Sequence, residues 1–404
     1  MDARSVLRRA LDDRDDFARS HAIEALAETM GAQSGPTFAQ ALSDASPAVR
    51  FAAAMAIGDA KYAPAKDRLL RMSQDKQLEP DRRVMPAVIY ALFRLGNDTY
   101  AGDLYALLFD KEKEVRSNAA LAMGRMQEVS AIGPLQTRLA EEQESQVRLQ
   151  IIEALAVLGE EASALSLESY TKKTPFLDER LVAIPAMAKV RSSTAPLVLR
   201  ELLDPRQPPR VRAAAAGALA MLGEYNAEAY EFCLDAARDP EGVTRKAYGR
   251  SGAAAIELTS LQQLAAIALG WMNNEGAVNV LHPLLGSPDS GVRIAAGMSI
   301  LRLLSAYQEQ PPPAAVTEPP PPAPPAPSAP ARRQVSQPAT RPATVPPVAT
   351  PKRLVVGTRE PATAPALVPP AAPLVNQPAT RMAVEETKAP GPLKPALRTS
   401  GGKD

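Results

Sequence analysis

The chain has 404 residues and a formal charge of only +1, from 46 Lys/Arg against 45 Asp/Glu, which excludes the strongly basic balance of a dedicated nucleic-acid binder. A single cysteine, Cys233, excludes an internal disulfide and any multi-cysteine metal site, and its apolar neighbours mark it as a core thiol. No run of 18 apolar residues occurs and Met1–Val6 lacks a secretory apolar region, so a cytoplasmic chain without a membrane span is the default expectation, with an upstream export segment left open.

Along the chain an arginine recurs at Arg19, Arg50, Arg83, Arg116, Arg148, Arg180 and Arg212, with gaps of 31, 33, 33, 32, 32 and 32 residues. A small apolar block follows it almost every time, as in Val49–Gly58 and Val115–Gly124. Self-similarity at such a period signals stacked units that bury their apolar faces only against one another. Each unit reads as two helices. Residues 131–139 carry a first helix by their spacing near 3.6; residues 147–158 carry a second, ending at Gly159 as a C-cap. The second helices are expected near residues 17–30, 48–58, 81–95, 114–126, 146–158, 179–190, 210–222, 260–272 and 291–304. At about 8–10 Å per unit, nine units would stack to on the order of 80 Å. Ser46-Pro47, Asp239-Pro240 and Ser287-Pro288 supply helix-start chemistry in the turns.

Three units depart from the pattern. Pro86 and Pro185 fall inside second helices and predict late starts or kinks. In the eighth unit Gln262 occupies the arginine slot, 50 residues after Arg212, so residues 241–259 read as an insertion between the two helices.

The Pro-Leu of the first helix (Pro134-Leu135, Pro196-Leu197, Pro283-Leu284) and the Val-Arg start of the second (Val115-Arg116, Val147-Arg148, Val211-Arg212, Val292-Arg293) resemble the HEAT-like repeats of the phycobilisome-lyase type, from residue 1 to about 305. The resemblance implies an all-α, right-handed α-solenoid of about nine helical hairpins. Scaffold residues define this family and it hosts many roles, so the resemblance itself assigns none. Its metal-dependent members use repeated His-Glu pairs, which His21 and His282 do not form here.

Beyond Ala306 the composition changes. Residues 306–404 hold 25 of the 40 prolines and 11 Lys/Arg against 6 Asp/Glu, leaving 35 against 39 for residues 1–305. Such a segment cannot offset its ordering entropy by burial, and a disordered, proline-rich, basic tail is expected. Gln337–Arg341 recurs as Gln377–Arg381, and Pro327–Arg332 has the Pro-x-x-Pro-x-Arg form.

For the repeat arginines, Arg293 included, the simplest reading is architectural: a planar fork of five donors tying to Asp44, Asp110, Asp204 or Asp289, or to carbonyls, in adjoining turns. The insertion gathers Arg245, Lys246, Tyr248 and Arg250 among three glycines, and with Trp271 beside it forms the candidate partner-binding set. No catalytic, cofactor or metal-ligating set emerges. The expectation is a monomeric, non-catalytic scaffold or adaptor for a protein or peptide partner, its tail serving as tether or recruitment segment. A lyase or prosthetic-group chaperone is the first alternative, and binding of a nucleic-acid backbone through insertion and tail is the second, disfavoured by the acidic repeat region.

Overall fold

The computed structural model describes residues 2–74, 81–249 and 252–309. Every regular element among them is helical. The helices fall into nine pairs. They are α1 (Ala3–Ala10) with α2 (Asp16–Met30), α3 (Gly35–Ala41) with α4 (Pro47–Asp59), and α5 (Lys66–Gln74) with α6 (Met85–Arg94). There follow α7 (Asp103–Leu108) with α8 (Lys113–Met126), α9 (Ile132–Glu141) with α10 (Ser145–Val157), and α11 (Glu161–Lys173) with α12 (Leu177–Val190). The seventh pair is α13 (Ala195–Glu201) with α14 (Pro209–Met221). In the eighth, α15 (Ala227–Arg238) and α17 (Ala255–Trp271) are separated by an additional helix, α16 (Pro240–Tyr248). The last pair is α18 (Val278–Leu284) with α19 (Ser290–Glu309). The repeat solenoid is the one read from the sequence. The proline-rich segment lies outside the described residues from 310 onward.

Successive second helices pack against one another through alanine and glycine. A Cβ placed on Gly124 would stand 3.0 Å from the Ala154 Cα, and one on Gly217 would stand 3.3 Å from the Ala268 Cα. Small residues at this level let the helix axes approach to the short end of the usual range. The two prolines act differently. Pro86 sits at the first turn of α6 and delays its start to Met85, whereas α12 runs through Pro185. The insertion read between the two helices contains most of a further helix, α16. Asp239 caps it by accepting from the Gly242 N–H at 2.8 Å, Pro240 fixes its first φ, and Gly249 ends it in the left-handed region at φ 65°.

The stack does not remain open. A Cβ on Gly297 of α19 would lie 3.4 Å from both the Ala3 carbonyl oxygen and the Leu7 side chain of α1. Arg293 reaches Asp13 at 3.6 Å, and Arg302 pairs with Glu28. One apolar cluster accordingly contains Val6 and Leu7 together with Ile300, Leu301 and Leu303. The first and last pairs are neighbours, so the expected 80 Å open stack is replaced by a closed row. Nine second helices spaced 8–10 Å apart give a circle of roughly 12–14 Å radius at their axes, which leaves a narrow interior once side chains are added.

Candidate functional site

Two rows of polar side chains run around this unit, one near each end of the second helices. The first is the arginine row. Arg19, Arg50, Arg116, Arg148, Arg180, Arg212 and Arg293 are each the fourth residue of their helix. Their guanidinium groups turn back to the preceding turn. Nη1 of Arg19 donates to the Asp13 and Arg14 carbonyls at 2.9 and 3.2 Å, and Arg50, Arg116 and Arg293 repeat this geometry on their own turns. Arg148 donates to the Leu139 and Glu142 carbonyls, Arg180 to Thr171, and Arg212 to Leu203, with Arg212 also stacked 3.9 Å over the Phe232 ring.

The other edge of the fork points to the next unit. Arg19 binds Asp44 through Nε and Nη2 at 3.0 and 2.8 Å, Arg50 binds Asp81 at 2.7 Å, and Arg116 binds Glu142 at 2.7 and 2.9 Å. Arg180 donates to Gln207 at 2.8 Å. Burial opposes ionisation of Glu142, but Arg116, the Glu144 N–H and Arg138 together outweigh it and hold the carboxyl down at about 2. Arg83 is the exception. The late start of α6 leaves it before the helix, folded onto Asp81 of its own turn, while Arg82 makes the tie to Asp110. In the eighth pair Gln262 donates to the Ala237 carbonyl at 2.7 Å, and Gln263 reaches Asp289 at 3.1 Å. The contact of Arg293 with Asp13 is the same step, taken from the last unit to the first.

The second row lies nine residues further along each helix and is irregular. It holds Glu28, Asp59, Leu92, Arg125, Val157, Lys189, Met221, Trp271 and Arg302. Arg125 donates to both oxygens of Asp59 at 2.8 and 2.7 Å across the whole intervening unit. Tyr90 of that unit, fully buried, donates its hydroxyl to Asp59, and Gly58 leaves room for its ring. Burial pushes the Tyr90 phenol up to about 12. Lys189 binds Glu153 at 2.7 Å. Glu24, four residues before Glu28 on α2, is pushed up to about 8 by burial, with Arg125 and Lys189 pulling the other way. That a carboxyl of the first unit feels cations of the fourth and sixth fits a narrow interior. Apart from Trp271, none of these residues belonged to the candidate set, although a charge in a slot filled elsewhere by Leu92, Val157 and Met221 was a usable signal.

The expected partner-binding residues divide. Arg245, Lys246 and Tyr248 lie exposed on α16; Arg250 lies outside the described residues. Trp271 closes the C-terminal end of α17, a helix about 25 Å long whose other end receives the connection from α16. Its ring packs under Arg302, with the guanidinium 4.0 Å from the centroid. The structure therefore separates Trp271 from the insertion, because the helix that follows the insertion carries it to the far side.

Among the other reactive groups, Cys233 is fully buried and its thiol is pushed up to about 12, and burial lowers His21. Among the described residues no three His, Cys, Asp or Glu side chains converge as a metal site, and no helix is long and apolar enough to cross a membrane.

A family model for HEAT repeats matches residues 4–85 and 76–156. Among solved structures, human deoxyhypusine hydroxylase in complex with glycerol is similar at 18% identity and a TM-score of 0.34, over 69% of this chain and 99% of that one. An engineered protein is similar at 17% identity and a TM-score of 0.26, over 75% and 99%. No curated protein matches the sequence. The matched model and the paired helices lead to one identification: residues 4–156 are HEAT repeats.

Proposed function

We propose that the repeat unit is a non-catalytic scaffold that binds a protein or peptide partner, with the proline-rich segment as its tether. The observation that carries this reading is α16. It is the helix that breaks the pairing, it is capped at both ends by its own sequence, and it turns Arg245, Lys246 and Tyr248 outward. An insertion that leaves the stacked core intact and exposes cations on a short helix suits recognition of an acidic partner surface. Against catalysis stands the chemistry of the reactive groups: the thiol is buried as the neutral acid, and most arginines of the periodic row are already bonded to carboxylates or carbonyls.

The test is a pull-down from the native source with the full chain, the chain ending at Glu309, and the double reversal Arg245→Glu with Lys246→Glu. Both positions are exposed, so the fold should persist, which circular dichroism checks. A partner retained by the full chain and lost on reversal supports the reading. A partner retained by all three forms removes α16 from recognition; transfer or retention of a coloured prosthetic group by the purified chain would favour the lyase alternative.

A further inference from the structure

The second helices of the seventh and eighth pairs, α14 and α17, end side by side, and between the turns that follow them opens a cleft of about 660 Å³. One wall is Gly223, Glu224 and Tyr225; the other is Trp271, Asn274 and Glu275. We infer that this cleft binds an extended, arginine-bearing segment of a partner protein. The inference rests on the scaffold reading and supplies the partner chemistry for a second surface, opposite in sign to α16.

Three observations converge on that occupant. The first is aromatic surface left in water: Tyr225 is 58% exposed, with only a tilted contact to Tyr230 at 6.1 Å on its inner side. An exposed tyrosine beside a tryptophan is the surface that stacks a guanidinium plane or covers the methylenes of its stem. The second is charge. Glu224 shares its charge with the exposed Arg200, while Glu275 is exposed and has no ion-pair partner among the described residues. The surrounding repeat region is itself acidic, with 35 Lys/Arg against 39 Asp/Glu. Arg200 and Arg302 beside the cleft are each already tied to a carboxylate, Glu224 and Glu28, so an incoming cation gains the Glu275 carboxylate and the Tyr225 face together.

The third is size. A volume of this order accommodates a drug-sized ligand, or one long side chain with its flanking backbone. Trp271 also retains a buried indole N–H with no acceptor among the described residues, a donor that a small shift of the ring would offer to a peptide carbonyl. Arginine fits better than lysine because its planar fork can stack and bond at once.

Trp271 is the sole tryptophan, so its emission reports this cleft alone. The probe is a twelve-residue synthetic peptide of alanine, proline and serine with one central arginine, titrated into the full chain. The expected result is a saturable change in emission, weakened about tenfold by Glu275→Gln and by Tyr225→Ala, and diminished by salt. Both substituted residues are exposed, and an unchanged circular dichroism spectrum confirms that each variant is folded. The inference is overturned by the absence of any saturable change at millimolar peptide. It is equally overturned if the same peptide with glutamate in place of arginine binds as well, or if single-stranded DNA produces the change instead. If the native partner is lost on reversal of Arg245 and Lys246 while the peptide leaves Trp271 unaffected, the scaffold reading stands and the cleft assignment fails.

Discussion

The two polar rows of this unit use the same residue types to opposite ends. At the start of the second helices, arginine repeats because each unit presents the same problem: a turn with unsatisfied carbonyls and a neighbour with an acidic residue. Nine residues on, the charges do not repeat. They pair over unequal distances, Glu28 with Arg302 across the junction, Asp59 with Arg125 over an intervening unit, and Lys189 with Glu153, which stands one turn earlier on the adjacent second helix. Periodicity thus marks what any unit needs to stack. Its breakdown marks what this particular row needs to close, since side chains facing a narrow interior meet partners chosen by geometry rather than by sequence distance.

The sharpest test of that contrast falls on the most buried step of the regular row. Arg116 and Glu142 are 9% and 1% exposed, and removal of the cation leaves the carboxylate only its longer 3.2 Å pair with Arg138 and strands the Asp110 and Lys111 carbonyls. Arg116→Ala is expected to lower stability by about 3 kcal/mol, read as the shift of a urea midpoint. The pH dependence follows from sign. A carboxyl held down at about 2 adds stability above the unfolded value near 4.5, and that stability is lost as pH falls toward 2. The variant should lose part of this acid dependence, the Glu144 N–H and Arg138 holding the rest.

Arg125 comes next, because it is 24% exposed and part of its loss is met by water. Arg125→Met should cost about 2 kcal/mol. Its diagnostic is coupling: in a double-mutant cycle Asp59→Asn and Arg125→Met should be markedly non-additive, although 66 residues separate them. Additive losses would mean that the inner row is solvated surface.

How far the sequence could be read follows the same division. The nine second helices and the arginines of eight of them were legible because the stacking problem repeats every 32 residues or so, and the fork reaches only to the adjoining turn. The helix α16 was half legible: Asp239-Pro240 and Gly249 announce its ends, but the glycines of residues 242–252 drew attention to a loop. The Pro-Leu dipeptide carries no fixed burial, since Leu135 is buried and Leu197 is 61% exposed. Closure was not legible at all. It depends on the small rotation between successive pairs summed nine times, and no local pattern states that angle. Once closure is known, the charges at Glu28 and Arg302 make sense; before it, they are 274 residues apart.

Glu24 gives an effect of opposite sign to Glu142. Burial raises its folded value to about 8, so its contribution is fully present below the unfolded value near 4.5 and is lost as pH rises through 8. The groups facing it, Arg125 and Lys189, moderate the loss as the carboxylate forms. Stability of the native chain should therefore decline between pH 5 and 8, and Glu24→Gln should flatten that decline. A variant with the same slope as the native chain would place the titration elsewhere.

The smallest effect is expected at Arg83, and it is the one that separates position in sequence from role. By spacing Arg83 belongs to the regular row. In the structure it is 47% exposed and folds onto Asp81, while Arg82 carries the tie to Asp110, whose side chain is only 3% exposed. Arg83→Ala should cost less than about 0.5 kcal/mol, as an exposed pair within one turn. Arg82→Ala should cost more, because it leaves the buried Asp110 carboxylate without its cation. If the two losses are reversed in size, the late start of α6 has not passed the tie from one arginine to its neighbour, and the periodic slot itself sets the role.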